Sequence, residues 1–510
     1  MHIPNPFAPI AHIYRGLRVL ATTGQTSYEA ASITKRMRTW GLSTAGPNSS
    51  INDSMASTKA RSRELDRNNP HASGGIDSYV TNLIGRGMTP RWNTGNPTLD
   101  AKILDLWKLS VGEMDASICE LDFYGLQTLA ATAMVMSGDV LGQFVYRPYT
   151  STLNVPVQLK LLENDHLYDQ YDQMLPNGNS LRMGFEINPA GEKVACHVYP
   201  QHPGDGFTDA SNLLPVRIPI EDTVFLYQPR RPGQLRGMPW LSSVIAGLRS
   251  IDEYDDAERI RKKIAAMYAG FITSPPGDPE LSGLPGLEED YDDEEDLVAL
   301  EPGLMQGLKP GEDIEWSKPA DVGENFQPWM KHNLRRIAKS LKITYEQLTG
   351  DLEGVTYSSI RAGLVEIYRQ CRAIQGQILV HKFCRPITTR WLDIAVASGR
   401  IFIPRYYKNR RIIINNIWDP DGWDWVDPLK DVQAAILEIR GGLTSRSRSV
   451  GERGSNAAEI DAENTADNTR ADATGIIYDS DPRKTTQSGG TREKGESNAG
   501  PKQPKPKPED

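Results

Sequence analysis

At 510 residues, with 38% hydrophobic and 24% charged, the chain is long enough for roughly two to four domains built around apolar cores. Its net charge of −9 argues against holding nucleic acid by bulk charge and leaves room for local basic patches. The four cysteines (Cys119, Cys196, Cys371, Cys384) are scattered, which fits a reducing compartment without a disulfide framework; no apolar run approaches the ~18 residues of a membrane span, and the N-terminus lacks the continuous apolar stretch of a secretory signal.

Residues 1–50, rich in Pro, Ser, Thr and Gly, read as an arm with one short helix near Tyr28–Trp40. From Ile51 to Ile84 the pattern is helical; Pro70 breaks or kinks it, and the glycines of Gly85–Pro90 (GRGMTP) end it. Leu99–Glu113 and Asp122–Ser137 are two more helices, the second nearly all apolar and so expected to be buried. From Val140 to about residue 228 the period changes to two, which predicts an antiparallel β region with a hairpin around Asn188–Gly191.

Arg231–Gly270 dominates the pattern. Gly237 and Pro239 punctuate its start, and apolar residues from Leu241 through Leu248, Ile251 and Ile264 to Met267 recur at steps of three and four. A helix from Pro239 to Ala269 would span roughly 46 Å. Its acids come first and its bases last, which suits the helix dipole and offers i,i+4 pairs such as Asp255–Arg259 and Glu258–Lys262. Residues 271–325 then read as loop and short strands around Glu288–Asp296, where eight of nine residues are acids. Such a run self-repels and is expected to be a solvated, mobile loop.

A second helix runs from Pro328 to about Leu341. Met330, Leu334, Ile337 and Leu341 form one face; Lys331, Arg335, Lys339 and Lys342 fall opposite, and no acid lies within the helix. A basic stripe is ordinarily a solvated face, but ordinary faces mix signs. Thr349–Ser359 is a glycine-bearing loop in which Thr356 or Ser358 can cap the next helix. That helix extends from Ser359 to Ala397 with Pro386 kinking it. Gly399–Trp418 reads as two strands, Leu429–Arg440 and Asn456–Ala471 as helices, and the chain from about Tyr478 as a disordered Gly-, Ser-, Lys- and Pro-rich tail.

No residues support catalysis. The sequence has no phosphate-binding P-loop, no H-E-x-x-H, no C-x-x-C and no G-x-S-x-G. His381 and Cys384 sit three apart on a helix, too little for a metal site. No metal or cofactor is expected. What remains is two helices bracketing an insertion, the layout of a stalk with a tip.

Several motifs together resemble the lambda-type portal proteins of tailed phages: Arg61–Ala72 (RSRELDRNNPHA), Gly85–Pro90, Asp122–Gln127 (DFYGLQ), Leu161–Leu167 (LLENDHL), Arg231–Gly237 (RPGQLRG), Tyr357–Arg361 (YSSIR) and Trp391–Gly399. The resemblance covers roughly residues 25–475. The chain departs from the family pattern at Gly138–Asp139, where a Gly-Glu pair is frequent, and in VFLYQ, where a histidine is frequent.

The resemblance implies an α+β portal fold that assembles into a ring, a dodecamer, at one capsid vertex, through which a terminase motor drives DNA. It implies an arm (1–50), a wing (51–238 and 359–428), stem helices (239–270 and 327–343), a clip (271–326), a tunnel loop (344–358), a crown (429–475) and a tail (476–510). DNA-channel candidates are Lys331, Arg335, Lys339 and Lys342 with Asp351, Glu353 and Thr356 of the loop. Candidates for contact with terminase or the head–tail connector are Glu288, Glu289, Asp290, Asp292, Asp293, Glu294, Glu295 and Asp296. Implied partners are copies of itself, the major capsid protein, the large terminase, the connector and double-stranded DNA without sequence readout, with no membrane; the location is the virion after assembly in the host cytoplasm. Competing readings are a nuclease or terminase subunit and a capsid or tail shell protein.

Overall fold

The computed structural model describes residues 41, 43–169, 172–206, 214–266, 270–273, 313–316, 326–423, 428–476, 478 and 483. The expected helix near Tyr28–Trp40, the acidic run Glu288–Asp296 and nearly all of the tail lie outside them.

Two helices come first, α1 (Pro47–Asn68) and α2 (Pro70–Ile84). Pro70 separates them, because a proline costs no hydrogen bond at a first helical position. Asn69 in the gap accepts a bond from the Ala72 N–H (2.8 Å) and donates its amide to Asp252 (2.8 Å). Next come β1 (Thr89–Arg91), α3 (Pro97–Ser110) and α4 (Phe123–Ser137). Asp122 caps α4 through the Gly125 N–H (2.7 Å), and the helix is as buried as its composition predicts.

The β region follows: β2 (Asp139–Tyr146), β3 (Val157–Glu163), β4 (Gln173–Met174), β5 (Ser180–Arg182), β6 (Phe185–Ile187), β7 (Lys193–Val198), β8 (Val216–Pro219) and β9 (Thr223–Tyr227). It forms two antiparallel sheets, ordered β3-β2-β9 and β4-β5-β6-β7-β8, with β6 and β7 the hairpin expected around Asn188–Gly191. Leu141, Leu162, Leu167, Phe185, Cys196, Val198 and Ile218 pack between the sheets.

The long helix α5 (Ile245–Ala266) starts later than the expected Pro239. A 3₁₀ turn, Trp240–Ser243, precedes it, because Trp240 is pinned against the Tyr79 ring (4.9 Å) and its carbonyl takes a bond from Ser340 (3.4 Å). β10 (Gly270–Thr273) and β11 (Asp313–Trp316) pair antiparallel at the two ends of the insertion. Then come α6 (Phe326–Leu341), α7 (Tyr345–Thr349) and α8 (Tyr357–Ile374). A π-helical stretch, Gln375–Cys384, joins α8 to α9 (Arg385–Ala397). The widened turns end just before Pro386, which lacks the N–H that an ordinary turn would use. They also shift the buried face from Ile367, Cys371 and Ile374 onto Leu379, Phe383 and Cys384, leaving His381 exposed. Last come α10 (Tyr406–Ile413), β12 (Ile417–Asp419), α11 (Pro428–Arg440), α12 (Arg446–Gly451) and α13 (Ala457–Thr474).

The expectation of two strands over Gly399–Trp418 is overturned at α10. Tyr406 and Ile413 are buried one week of residues apart on a helical face, while Lys408 and Arg411 are exposed. The Ile412–Ile414 run carries strand propensity, but helical burial decides the outcome.

The chain divides into two compact units. The first holds the described residues up to Leu83 and Gly112–Ile394; the second holds Ile84–Val111 and the described residues from Ala395 onward. In the second unit β1 pairs with β12, Arg91 bonds Asp419 (2.8 Å), and Arg86 bonds Asp421 (3.0 Å). This pairing draws Ile84–Val111 away from the segment with which the sequence reading grouped it.

The first unit is organised on a fully buried ion pair. Arg236 Nε donates to Asp139 Oδ2 (2.7 Å), and its other nitrogens reach the carbonyls of Met183 (3.3 Å) and Asn164 (3.2 Å). Arg236 Nη2 also donates to Asp139 (3.3 Å), and the Gly237 N–H adds a third donor (2.9 Å). Gly138 (φ 97°) lies so close to Gly237 that a Cβ on Gly237 would sit 1.9 Å from the Gly138 carbonyl oxygen. Gln234 closes the preceding loop, donating to the Arg236 carbonyl (2.7 Å) and accepting from the Arg230 N–H (2.8 Å).

A second buried cation lies nearby. Lys193 Nζ stands 3.8 Å from the Phe185 ring centroid and donates to the Leu235 carbonyl (3.3 Å). Burial first, then the charges of Lys382 and Arg236, push its pKa down to about 7.

Replacing Arg236 with Met strands the Asp139 carboxylate without its counterion, and urea denaturation should show a loss of about 3–5 kcal/mol. The double change Arg236→Met/Asp139→Leu should recover much of that loss. For Lys193, the unfolded chain binds a proton that the folded chain releases between pH about 7 and 10.5. Stability therefore rises with pH across that window, with a contribution from this group of up to about 1.4 kcal/mol per pH unit. Melting curves of Lys193→Met should show a flatter dependence over the same range.

Candidate functional site

The paired helices α5 and α6 and the loop after α7 carry the candidate site. Ser243 bonds Ser340 (2.7 Å) at one end of the pair, and Tyr254 meets Phe326 (5.7 Å) and Trp329 (4.3 Å) further along. As α5 ascends α6 descends, so the helices are antiparallel. Leu248 and Ile251 on one side and Leu334, Ile337 and Leu341 on the other are buried at their base. Beyond Tyr254 the apolar stripe of α5 runs out into solvent: Ala257 is exposed and Ile260 is 58% exposed.

The charges of α5 largely satisfy one another. Arg249 pairs with Glu253 (2.9 Å), Arg259 with Asp255 (2.5 Å), and Glu258 with Arg261 (2.6 Å) and Lys262 (3.8 Å). Both i,i+4 pairs expected from the sequence are present.

On α6, Arg335 and Lys339 are exposed and Lys331 is half-buried. Arg336, also exposed, extends the basic face and was missed by the sequence reading; stepping 100° per residue from Lys331 would have found it. Lys342 does not belong to that face. It follows the last helical residue in a left-handed conformation (φ 61°), which turns its ammonium onto the Trp240 ring (3.7 Å) and toward Gln228 Oε1 (3.5 Å). Burial, then the charge of Arg230, lower its pKa to about 8. The helical stripe thus ends at Lys339.

The loop supplies the acid that the helix lacks. α7 opens with a capping box between Thr344 and Gln347 and ends on left-handed Gly350. Asp351 then folds back: its carboxylate accepts from the Tyr345 hydroxyl (3.0 Å) and the Glu353 N–H (2.9 Å) and lies 3.7 Å from Lys331 Nζ. The Glu353 amide and the Tyr345 hydroxyl, aided by Lys331, hold Asp351 below the usual carboxylate range. Lys331 and Arg335 both lie beside the Tyr345 ring, at 5.2 and 5.7 Å. Glu353 is exposed. Thr356 caps α8, as expected, in a reciprocal box with Ser359. The structure therefore brings Lys331, Arg335 and Asp351 together around Tyr345 and sets Lys342 apart.

One acid–histidine cluster invites a metal reading: Glu163, Asp165 and His202 hold ligand-type atoms within 4.8 Å of one another. Lys59 (3.1 Å) and Arg63 (2.6 Å) already neutralise Asp165, and Arg63 also pairs with Glu163 (2.8 Å). Burial alone would raise the Asp165 pKa, but these two cations hold it at about 2. The cluster anchors α1 to β3.

Residues 34–375 match the model of the phage portal protein, lambda family. The probable portal protein of Halomonas phage phiHAP-1 is 32% identical over 283 residues, 55% of this chain and 54% of that protein, so the match spans about half the relative's length. The portal protein of Escherichia phage N15 is 21% identical over 86% of this chain and 89% of its own, and portal protein B of Escherichia phage lambda is 20% identical over the same shares. The chain is also similar to a component of the neck of a native gene transfer agent particle solved with C12 symmetry, at a TM-score of 0.44 and 16% identity, over 81% of this chain and 96% of that one.

Replacing Thr356 with Ala removes one half of the capping box at the head of α8. Chemical denaturation should register a loss of about 1 kcal/mol.

Proposed function

Because this chain belongs to the lambda family of phage portal proteins, we propose that its copies close into a dodecameric ring at one capsid vertex and form the channel through which a terminase motor packages DNA and through which the DNA later leaves. It acts there as a structural conduit of the virion, assembled in the host cytoplasm, and not as an enzyme. The antiparallel pair α5 and α6 is the stem. The insertion 271–326 is the clip that meets the large terminase during packaging and the head–tail connector afterwards, with Glu288–Asp296 offered to a basic partner surface. The loop around Asp351 and Glu353 faces the DNA as the tunnel loop; the α/β part forms the wing, and the C-terminal helices form the crown that faces the capsid interior.

The observation that carries this reading is the face of α6, where Lys331, Arg335, Arg336 and Lys339 stand with no acid on the helix. Repeated around a ring, it becomes a belt of positive charge. A conduit must let DNA slide, and each phosphate firmly neutralised adds affinity and salt dependence. Asp351 moderates the belt by competing with phosphate for Lys331. Sequence readout is not required, and phosphate contacts alone do not supply it.

The triple change Lys331→Gln/Arg335→Gln/Lys339→Gln should leave closed rings visible by electron microscopy. DNA packaged per capsid in a terminase-driven reaction should fall at least severalfold. Unchanged packaging would mean that the face is merely solvated or lies between subunits, and the channel assignment of α6 would fail.

A further inference from the structure

The second compact unit carries a basic surface that the portal reading does not use. Between Asp393 and Asp419 the sequence contains no acid, yet it holds Arg400, Arg405, Lys408, Arg410 and Arg411. Such a one-signed stretch stands out in a chain whose net charge is −9. The fold concentrates it. α10 buries Tyr406 and Ile413, so the opposite side presents Lys408 and Arg411 to solvent, and Arg405, the left-handed residue (φ 55°) that precedes the helix, is exposed as well. No side-chain hydrogen bond or ion pair engages these three among the described residues.

Two aromatic rings stand beside them. Phe402 is 85% exposed and Tyr407 is 74% exposed, which is unusual for large apolar side chains so close together. A shallow groove of about 430 Å³ lies among Gly399, Phe402, Arg405, Tyr407 and Lys408. The surface therefore combines unpaired cations, flat apolar rings and a concave floor.

We infer that the α10 surface, through Arg405, Lys408 and Arg411 with Phe402 and Tyr407 beside them, is a second DNA-contacting site that grips the phosphate backbone of a duplex without reading its sequence. Charge complementarity favours a duplex over a protein partner. A phosphate backbone presents an unbroken array of one sign, which a groove whose lining holds Arg405 and Lys408 and no acid matches. Protein interfaces deplete charge at their centre and mix signs at their rim. The rings then lie against deoxyribose, where apolar contact adds affinity without adding salt dependence. The inference does not depend on the stem helix: it uses other residues, in the other compact unit.

The test measures binding of a short labelled duplex, and of a single strand of equal length, to the purified full-length chain across a salt series. The triple change Arg405→Gln/Lys408→Gln/Arg411→Gln removes only exposed charges, so its melting curve should match the parent. Duplex affinity should fall at least tenfold, and the slope of log K against log salt should become shallower by roughly two to three. Phe402→Ser/Tyr407→Ser should weaken binding severalfold with the slope unchanged. The stem variant Lys331→Gln/Arg335→Gln/Lys339→Gln serves as the independent arm. Loss of affinity in that variant alone overturns the α10 site; loss in the α10 variant alone supports that site and leaves the stem reading to its own packaging assay. Unchanged duplex affinity and slope in the α10 variant refutes the inference and leaves the patch to an acidic protein surface. Tighter binding of the single strand, lost with the two rings, overturns the duplex assignment.

Discussion

The first compact unit depends on one buried guanidinium. Arg236 has no exposure to water, and the cost of burying it is offset only because Asp139 and the carbonyls of Met183 and Asn164 converge on it. Those groups come from segments far apart in sequence. Asp139 opens β2, directly after the Gly138 that ends α4; Asn164 directly follows β3 and also bonds the Ser137 carbonyl (3.0 Å). Arg63 of α1 reaches the same neighbourhood through the Ser137 hydroxyl (3.1 Å) and Asn164 (3.3 Å). Three of the sequence motifs, Arg61–Ala72, Leu161–Leu167 and Arg231–Gly237, thus meet the Gly138–Asp139 pair at one site of charge compensation. The pair explains why two glycines must meet there: a side chain on either would force the strands apart and break the Gly237 N–H bond to Asp139. Because the next residues begin the turn into α5, this knot also fixes where the long helix starts.

What the sequence made legible was local. The cap at Thr356, the proline between α1 and α2, the hairpin at Asn188–Gly191 and the i,i+4 pairs of α5 each depend on residues a few positions apart. The α+β class and the portal family were legible as well, because several separate motifs pointed to them together. What escaped was set by distant or conformational partners. Lys342 looked like one more rung of a helical stripe, but the helix had already ended and a left-handed residue reversed its direction. Asp351 looked like a free loop acid until Tyr345 and Lys331 held it. The strand pair β1–β12 joins residues 328 apart, Arg91 and Asp419 among them, and no local pattern encodes such a partner. The helix α10 was hidden by three consecutive isoleucines whose preference for strand loses to the burial of Tyr406 and Ile413.

The two helices of the candidate stem have opposite electrostatic roles, and pairing geometry decides which helix does what. α5 carries many charges, yet Arg249, Arg259, Arg261 and Lys262 each meet an acid on the same helix, and Asp252 is held by Asn69. Its field at a distance is therefore close to that of a set of dipoles, which falls off quickly. Among the described residues, the bases of α6 have one carboxylate partner, Asp351, against four exposed or half-exposed cations. Lys331, Arg335 and Lys339 follow one another at a rise of about 6 Å. That spacing is shorter than the screening length of about 8 Å at physiological salt, so the three act on a neighbouring anion as one field rather than as separate points. A polyanion passing such a face is attracted everywhere along it and held strongly nowhere, because exposed ammonium and guanidinium groups remain hydrated and a loop carboxylate already occupies the first of them. For the channel proposed above, attraction without a deep minimum is the condition for sliding, and the exposed bases of α6 would supply it.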